Sequence, residues 1–111
     1  MIETPSNFVY LKRSYCKPEV GDLFTAKLIS GDYIFGRVII SEPPVSVAPG
    51  PMCNLLYIYR YLSSTDEPVL EDLNPRNLLI PPVWTNRMAW RRGVFRTIRN
   101  VQVARQDVLE R

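Results

Sequence analysis

Residues 22–41 read DLFTAKLISGDYIFGRVIIS, and this stretch decides the fold class. Two runs rich in β-branched and aromatic residues flank Gly31 and Asp32. Two such runs around a glycine-led turn predict a β-hairpin, with Gly31 at the first central position of a type II′ turn. We therefore expect residues 23–29 to pair antiparallel with residues 33–39.

Alternation along the two arms predicts which side chains share a face. One face of the first arm holds Phe24, Ala26 and Leu28, and one face of the second arm holds Ile34, Val38 and Ile40. Gly36 interrupts the second arm, which marks a bulge, a sharp bend or a close backbone approach. The predicted core comprises Phe24, Val38, Leu56, Ile58, Val94 and Ile98.

Further strand patterns follow the hairpin. Residues 41–52 form a proline-rich loop, residues 53–64 read as the third strand, and residues 78–84 read as a short strand broken by Pro81 and Pro82. Residues 93–104 are the last run with strand-like alternation. Several short strands between turn signals predict one mostly β domain over residues 1–111, either a small antiparallel, strongly bent sheet or an SH3-like barrel.

One short helix is expected beside the sheet. Residues 65–77, TDEPVLEDLNPRN, are the only helix candidate, with Asp66 as its cap and Pro75 as its end. The same segment is the acidic part of the chain, with Glu67, Glu71 and Asp72 in addition to Asp66.

Basic residues are concentrated in residues 85–100, TNRMAWRRGVFRTIRN. This stretch holds five arginines and no acidic residue, although the net charge of the whole chain is only +3. The arginines can form a solvated edge, pair with the acidic segment or contact a partner. Arginine and tryptophan are enriched at binding hot spots. The candidate partner-binding residues are Trp84, Arg87, Trp90, Arg91, Arg92 and Arg96.

Trp90 and the tyrosines of the third strand have two interpretations each, and Arg37 has one. Trp90 can cap the core or contact a partner. The tyrosines of the third strand, Tyr57, Tyr59 and Tyr61, can pack beneath a loop or form a rigid contact surface. Arg37 lies inside a strand, where a structural ion pair with Asp22 or Asp32 is the expected role.

The sequence lacks the usual residues of catalysis. It contains no histidine, and its two cysteines cannot build a four-ligand zinc site. No glycine-rich phosphate-binding motif is present. Glu71 and Asp72 are the remaining carboxylate pair for a catalytic hypothesis, and a solvated face is the favoured reading. We therefore expect no enzymatic activity, no cofactor and no metal.

Two features indicate the compartment. Cys16 and Cys53 lie far apart with no Cys-x-x-Cys motif, which fits free thiols in a reducing environment. The first fifteen residues do not resemble a signal peptide, and the apolar runs are shorter than the roughly 20 residues of a membrane span. We expect a cytoplasmic protein that binds no membrane. The sequence does not indicate an oligomeric state.

Two stretches together resemble the immunity protein 26 family of bacterial polymorphic toxin systems. The first match is Gly21-Asp22 followed by Phe24, and then Gly36-Arg37-Val38 at the end of the hairpin. The second match comprises Pro81, Pro82, Trp90, Gly93 and Phe95. The resemblance covers about residues 20–109. It implies a mostly β fold and a protein that binds a cognate toxin domain.

Two functions of different classes compete. The first, favoured by the resemblance, is an immunity protein that neutralises its toxin by protein–protein contact. The alternative is a nucleic-acid-binding barrel, because Trp90 beside Arg91 and Arg92 suits base stacking and phosphate contact. The modest net charge and the acidic segment argue against that alternative, so no nucleic-acid partner is expected.

Overall fold

The structure is a computed structural model that describes residues 8–42 and 53–109. The strands are β1 (Phe8–Val9), β2 (Asp22–Leu28), β3 (Tyr33–Ser41), β4 (Asn54–Ile58), β5 (Val83–Thr85) and β6 (Arg96–Asn100). One α-helical turn, α1, covers Met88–Arg91, and two 3-10 turns cover Leu70–Asp72 and Arg105–Asp107.

All six strands belong to one antiparallel sheet. The order is β1-β2-β3-β4-β5, and β6 pairs with β2 on the same side as β1. Residues 22–25 of β2 pair with β6, whereas residues 27–28 pair with β1. In the part of the chain described, β5 and β6 do not pair with each other, so the strongly curled sheet is an open half-barrel. The predicted mostly β, bent antiparallel sheet is confirmed.

The hairpin arms are as predicted, but the turn is different. Leu23 to Lys27 pair with Arg37 to Tyr33. The Gly31 N–H donates to the Leu28 carbonyl (2.9 Å) and the Leu28 N–H donates to the Asp32 carbonyl (2.8 Å), while Gly31 has φ 99°. This is a three-residue turn, residues 29–31, that ends in a left-handed glycine. The predicted type II′ turn over Gly31-Asp32 is wrong, because Gly31 occupies the last loop position.

The curled sheet encloses the first hydrophobic cluster on its inner face. Phe24, Ala26, Ile34, Val38, Leu56, Ile58 and Trp90 form it. Of the predicted core residues, Ile98 alone is only half-buried. A β-bulge between Val38 and Ile40 also breaks the alternation of β3. Because of this bulge, Ile40 packs against the outer face and does not share the face of Val38, which corrects the sequence assignment.

A second hydrophobic cluster covers the outer face of β3 and β4. It consists of Ile39, Leu55, Tyr57 and Tyr59, with Leu73, Leu78 and Leu109 packed against it. Both faces of β4 are therefore buried, and every residue of Asn54–Ile58 lies in the interior. The tyrosines pack beneath the segments around Leu73 and Leu109, which supports the packing reading of the tyrosine face.

The predicted helix over residues 65–77 is wrong. The segment contains only the 3-10 turn Leu70–Asp72, and Asp66 contacts Arg96 where a cap was expected. Pro68 and Pro75 leave six residues between them, and the residue before a proline disfavours helical geometry. Within residues 8–42 and 53–109 the α-helical turn is α1, whose Met88 N–H donates to the Asn86 side chain (2.9 Å).

Candidate protein-contact surface

Residues 85–100 fold into a compact corner between β5 and β6. The chain leaves β5, forms α1 and reverses at Gly93, where Val94 N–H and Phe95 N–H both donate to the Ala89 carbonyl. Gly93 has φ 79°, and a Cβ added there would lie 2.8 Å from the Leu11 carbonyl oxygen. This position therefore requires glycine, both for its left-handed backbone and for the close approach of the amino-terminal segment.

Trp90 anchors this corner in the inner core. It is 1% exposed, and its ring meets Phe24 and Phe95 edge-on, with centroid separations of 5.1 and 5.2 Å. The indole Nε1 donates to the Thr97 hydroxyl at 3.1 Å, which satisfies the buried donor. The core reading of Trp90 is therefore the one that the structure supports. Trp90 holds α1 in place and leaves the flanking arginines to form the surface.

Trp84 lies in β5, opposite Leu55. Its side chain is half-buried and packs against the outer cluster, so part of the ring contributes to the surface. Trp84 and Trp90 thus belong to opposite sides of the sheet, and the structure does not bring the two tryptophans together.

Arg87 forms a clamp with Glu42 at the end of β3. Its Nε and Nη2 donate to the two carboxylate oxygens at 2.6 and 2.9 Å. This hydrogen bond from Arg87 lowers the pKa of Glu42, against an opposing effect of desolvation, and the same contact raises the pKa of Arg87. Bidentate pairing fixes both side chains, so Arg87 connects α1 to β3.

Two further arginines pair with the acidic segment. Arg96 Nη2 lies 2.7 Å from Asp66, and Arg99 Nη1 lies 3.1 Å from Glu67. Both pairs are partly or largely exposed, so each contributes little to stability. Their main effect is geometrical, since they hold residues 66–67 against β6.

Arg91 and Arg92 lie at the end of α1. Arg91 is exposed, and Arg92 is half-buried. Of the six candidate residues, the structure therefore brings Arg87, Trp90, Arg91 and Arg92 together around α1. Arg96 lies on the adjoining strand β6, and Trp84 lies on the outer side of β5.

A second basic segment lies beside the arginine corner, and sequence reasoning missed it. The Leu11 N–H donates to the Gly93 carbonyl (2.6 Å), and the Ser14 N–H donates to the Trp90 carbonyl (3.0 Å). These bonds place Lys12 and Arg13 alongside residues 90–93. The available sequence signal was the dipeptide Lys12-Arg13, but its position next to α1 depends on hydrogen bonds to residues about eighty positions further along the chain.

An open cleft of about 590 Å³ separates this segment from β6. It is lined by Lys12, Arg13, Ser14, Tyr15, Cys16, Arg96 and Thr97. Tyr15 is 69% exposed. The lining contains three basic side chains; Arg96 pairs with Asp66, and the remaining two, Lys12 and Arg13, favour a negatively charged ligand.

Arg37 has a structural role with different partners from those expected. Its Nη2 donates to the Val101 and Gln102 carbonyls at 2.7 Å each, and its Nη1 lies 3.3 Å from Asp107. The predicted pairing with Asp22 or Asp32 is wrong, because Arg37 points to the outer face, where the carboxy-terminal segment crosses. Burial in the same region raises the pKa of Tyr59 to about 12.

Metal-binding clusters and membrane-spanning helices are absent from the described residues. Within residues 8–42 and 53–109, no group of three or more His, Cys, Asp or Glu side chains could hold a metal ion. Glu71 and Asp72 are exposed in their 3-10 turn, which is the solvated arrangement. Among the described residues, no helix is long and apolar enough to cross a membrane. Cys16 and Cys53 are both free thiols.

Comparison with known proteins identifies the family. The model of immunity protein 26 matches residues 19–109, which is most of the chain. The chain belongs to the immunity protein 26 family. The comparisons with curated proteins and with solved structures gave no match.

The residues that carry the resemblance to the immunity protein 26 family serve the fold. Gly36 lies against the Phe24 ring, and Phe95 stacks on Phe24 with centroids 4.5 Å apart. Gly21 has φ 91°, and an added Cβ would lie 2.6 Å from the Val101 carbonyl oxygen. Lys12, Arg13 and Tyr15 precede the matched range. The cleft therefore combines residues inside and outside the part that defines the family.

Proposed function

We propose that this member of the immunity protein 26 family protects a bacterial cell from a cognate toxin domain by binding it directly. The observation that carries the proposal is the family match over residues 19–109. Binding alone suffices for neutralisation, so no catalytic chemistry is needed. This agrees with a chain that contains no histidine, the usual general base near neutral pH. The proposed site of action is the cytoplasm, as the two free thiols favour.

The proposed contact surface is the corner formed by α1 and the start of β6. Arg91 and Arg92 lie at its centre and Arg96 lies on the adjoining strand, whereas Trp84 lies on the outer side of β5 and its partner-binding role stays a prediction. The clamp of Arg87 on Glu42 and the buried ring of Trp90 hold this corner rigidly. A preformed surface loses little conformational entropy on binding, which supports tight association.

Protection by the full chain tests the function. The toxin domain encoded beside the gene is expressed from an inducible promoter, with and without the immunity chain, and growth is followed. We expect the chain to restore growth and to bind an inactive variant of the toxin domain in isothermal titration calorimetry. Growth arrest that persists in the presence of the folded chain, with no binding, contradicts the proposal.

A single charge reversal tests the contact surface. Arg91→Glu places a negative charge on the corner, and we expect it to weaken toxin binding by about ten-fold. Arg105→Glu is the matched control, because Arg105 is also exposed but lines a different cleft, with Gln106 and Val108. Equal affinities of the wild-type and Arg91→Glu proteins would place the contact surface elsewhere on the molecule.

A further inference from the structure

The cleft between the amino-terminal segment and β6 is built by long-range contacts. The bonds from Leu11 to Gly93 and from Ser14 to Trp90 hold one wall against α1. Gly93 permits this approach, since any larger residue would meet the Leu11 carbonyl. The opposite wall is Arg96 and Thr97 of β6. Both walls are thus attached to the inner core through hydrogen bonds of Trp90. Its carbonyl accepts from the Ser14 N–H, and its indole Nε1 donates to the Thr97 hydroxyl.

The charged side chains that line the cleft are all basic. Lys12 and Arg13 are exposed and, among the described residues, form no ion pair. Arg91 adjoins them and is likewise exposed. Asp66 is the carboxylate that reaches this region, and it pairs with Arg96. The surface therefore has uncompensated positive charge that a ligand can neutralise.

The cleft also offers aromatic surface. Tyr15 lines it and is 69% exposed, and Tyr10, which directly follows β1 in the same segment, is 57% exposed. Tyrosine and arginine together are typical of protein-binding hot spots, because both give large contact area and hydrogen bonds. The combination fits a polypeptide that carries carboxylates beside apolar side chains.

We infer that this cleft receives an acidic segment of the toxin domain, whose carboxylates pair with Lys12 and Arg13 while its apolar side chains pack on Tyr15. The inference rests on the proposed function and adds the chemistry of the partner. A protein segment fits better than nucleic acid. The reason is that Asp66 and Glu67 lie against the same strand and would repel a continuous phosphate backbone.

Charge reversal on this segment gives the first measurement. The variant Lys12→Glu/Arg13→Glu is expected to weaken binding of the inactive toxin domain by about ten-fold or more, mainly by slowing association. Arg76→Glu/Arg105→Glu is the matched control, because it changes the net charge equally at a different cleft. We expect the control to bind with wild-type affinity, and circular dichroism to show that both variants fold.

Protection of Cys16 gives a second measurement that leaves the charges unchanged. Cys16 is exposed and lines the cleft, whereas Cys53 is half-buried and directly precedes β4. In the Cys53→Ser background, the rate of maleimide labelling reports on Cys16 alone. We expect saturating toxin domain to slow this labelling by about ten-fold, because a ligand in the cleft covers the thiol.

The outcomes separate this inference from the function on which it rests. Weakened binding of the Lys12→Glu/Arg13→Glu variant, together with protection of Cys16, supports the inference. A wild-type protein that binds and protects, combined with an unchanged affinity of that variant or an unprotected Cys16, overturns the inference alone. A wild-type protein that fails to bind the toxin domain overturns the proposed function and this inference with it. Salt-sensitive binding of duplex DNA through Lys12 and Arg13 also overturns the inference.

Discussion

At the scale of single residues, Gly36 shows how closely the inner core is packed. It lies in β3 opposite Phe24 and Ile58. A Cβ added at Gly36 would lie 2.8 Å from the Tyr57 carbonyl oxygen and closer still to the Phe24 ring. Of the three readings that the sequence allowed, the close approach is therefore the correct one. The missing side chain makes room for the Phe24 ring, which in turn packs on Trp90 and Phe95.

Replacing Gly36 by alanine tests this packing. We expect Gly36→Ala to lower the free energy of unfolding by about 1–3 kcal/mol, because the added methyl group overpacks the site. Urea unfolding followed by tryptophan fluorescence measures the loss. The double variant with Phe24→Leu should lose less than the sum of the two single variants, since leucine relieves the closest contact. Strictly additive losses would show that the Phe24 ring is not the cause.

At the scale of elements, the Arg87–Glu42 clamp connects the helical turn to the sheet. Glu42 directly follows β3 and has a left-handed φ of 42°, a conformation that glycine adopts more readily than other residues. Its N–H is held by the Cys53 carbonyl (3.1 Å) and the Asn54 side chain (3.2 Å), and its carboxylate is held by Arg87. These bonds keep the carboxylate directed at α1 even though the backbone is strained.

The lowered pKa of Glu42 predicts a pH dependence of this connection. Because the folded pKa lies below the unfolded one, ionised Glu42 stabilises the fold above the ordinary glutamate pKa of 4.5. This contribution is lost as the pH falls through the lowered folded value. Glu42→Gln should therefore reduce the melting temperature at pH 7, and the difference from wild type should shrink at pH 3.

An exposed ion pair supplies the control for the clamp. Glu67→Gln removes the carboxylate partner of Arg99, and this pair is largely exposed to solvent. We expect Glu67→Gln to change the melting temperature less than Glu42→Gln at pH 7, because exposed pairs are screened by water and salt. An equal or larger effect of Glu67→Gln would mean that the Arg87–Glu42 clamp does not hold α1 to the sheet.

At the scale of the whole molecule, the distribution of charge favours binding of a protein partner over binding of nucleic acid. The net charge is +3. In residues 85–100, Arg87, Arg96 and Arg99 are already paired with carboxylates of the same chain. Asp66 and Glu67 lie beside β6 and reduce the attraction for phosphates. The arginine stretch therefore does not form a continuous cationic track of the kind that nucleic-acid binding requires.

Salt-dependent binding measurements test this conclusion. If all five arginines of residues 85–100 contacted phosphates, log affinity for duplex DNA would fall against log salt with a slope of about −4.5. We expect weak or undetectable binding at physiological salt in fluorescence anisotropy. Submicromolar binding with a steep salt dependence would favour the nucleic-acid function over the immunity function.

The sequence by itself determined what depends on local order along the chain. The period-two alternation predicted both arms of the β2–β3 hairpin and most of the core, because alternate side chains of any strand face opposite sides. The spacing of Gly21, Gly36, Trp90 and Gly93 indicated the family. The amino-acid composition also limited the possible catalytic mechanisms, since a chain without histidine lacks the commonest general base.

Only the tertiary structure decided what depends on contacts between distant segments. The bulge at Ile39, the partners of Arg37 and the burial of Trp90 all depend on which segments cross the sheet. The position of Lys12 and Arg13 beside Arg91 rests on hydrogen bonds between segments about eighty residues apart. Such contacts form because the curled sheet brings distant segments onto one core, and no local pattern records which of them meet. The fold class was therefore readable from the sequence, whereas the candidate contact surface required the folded chain.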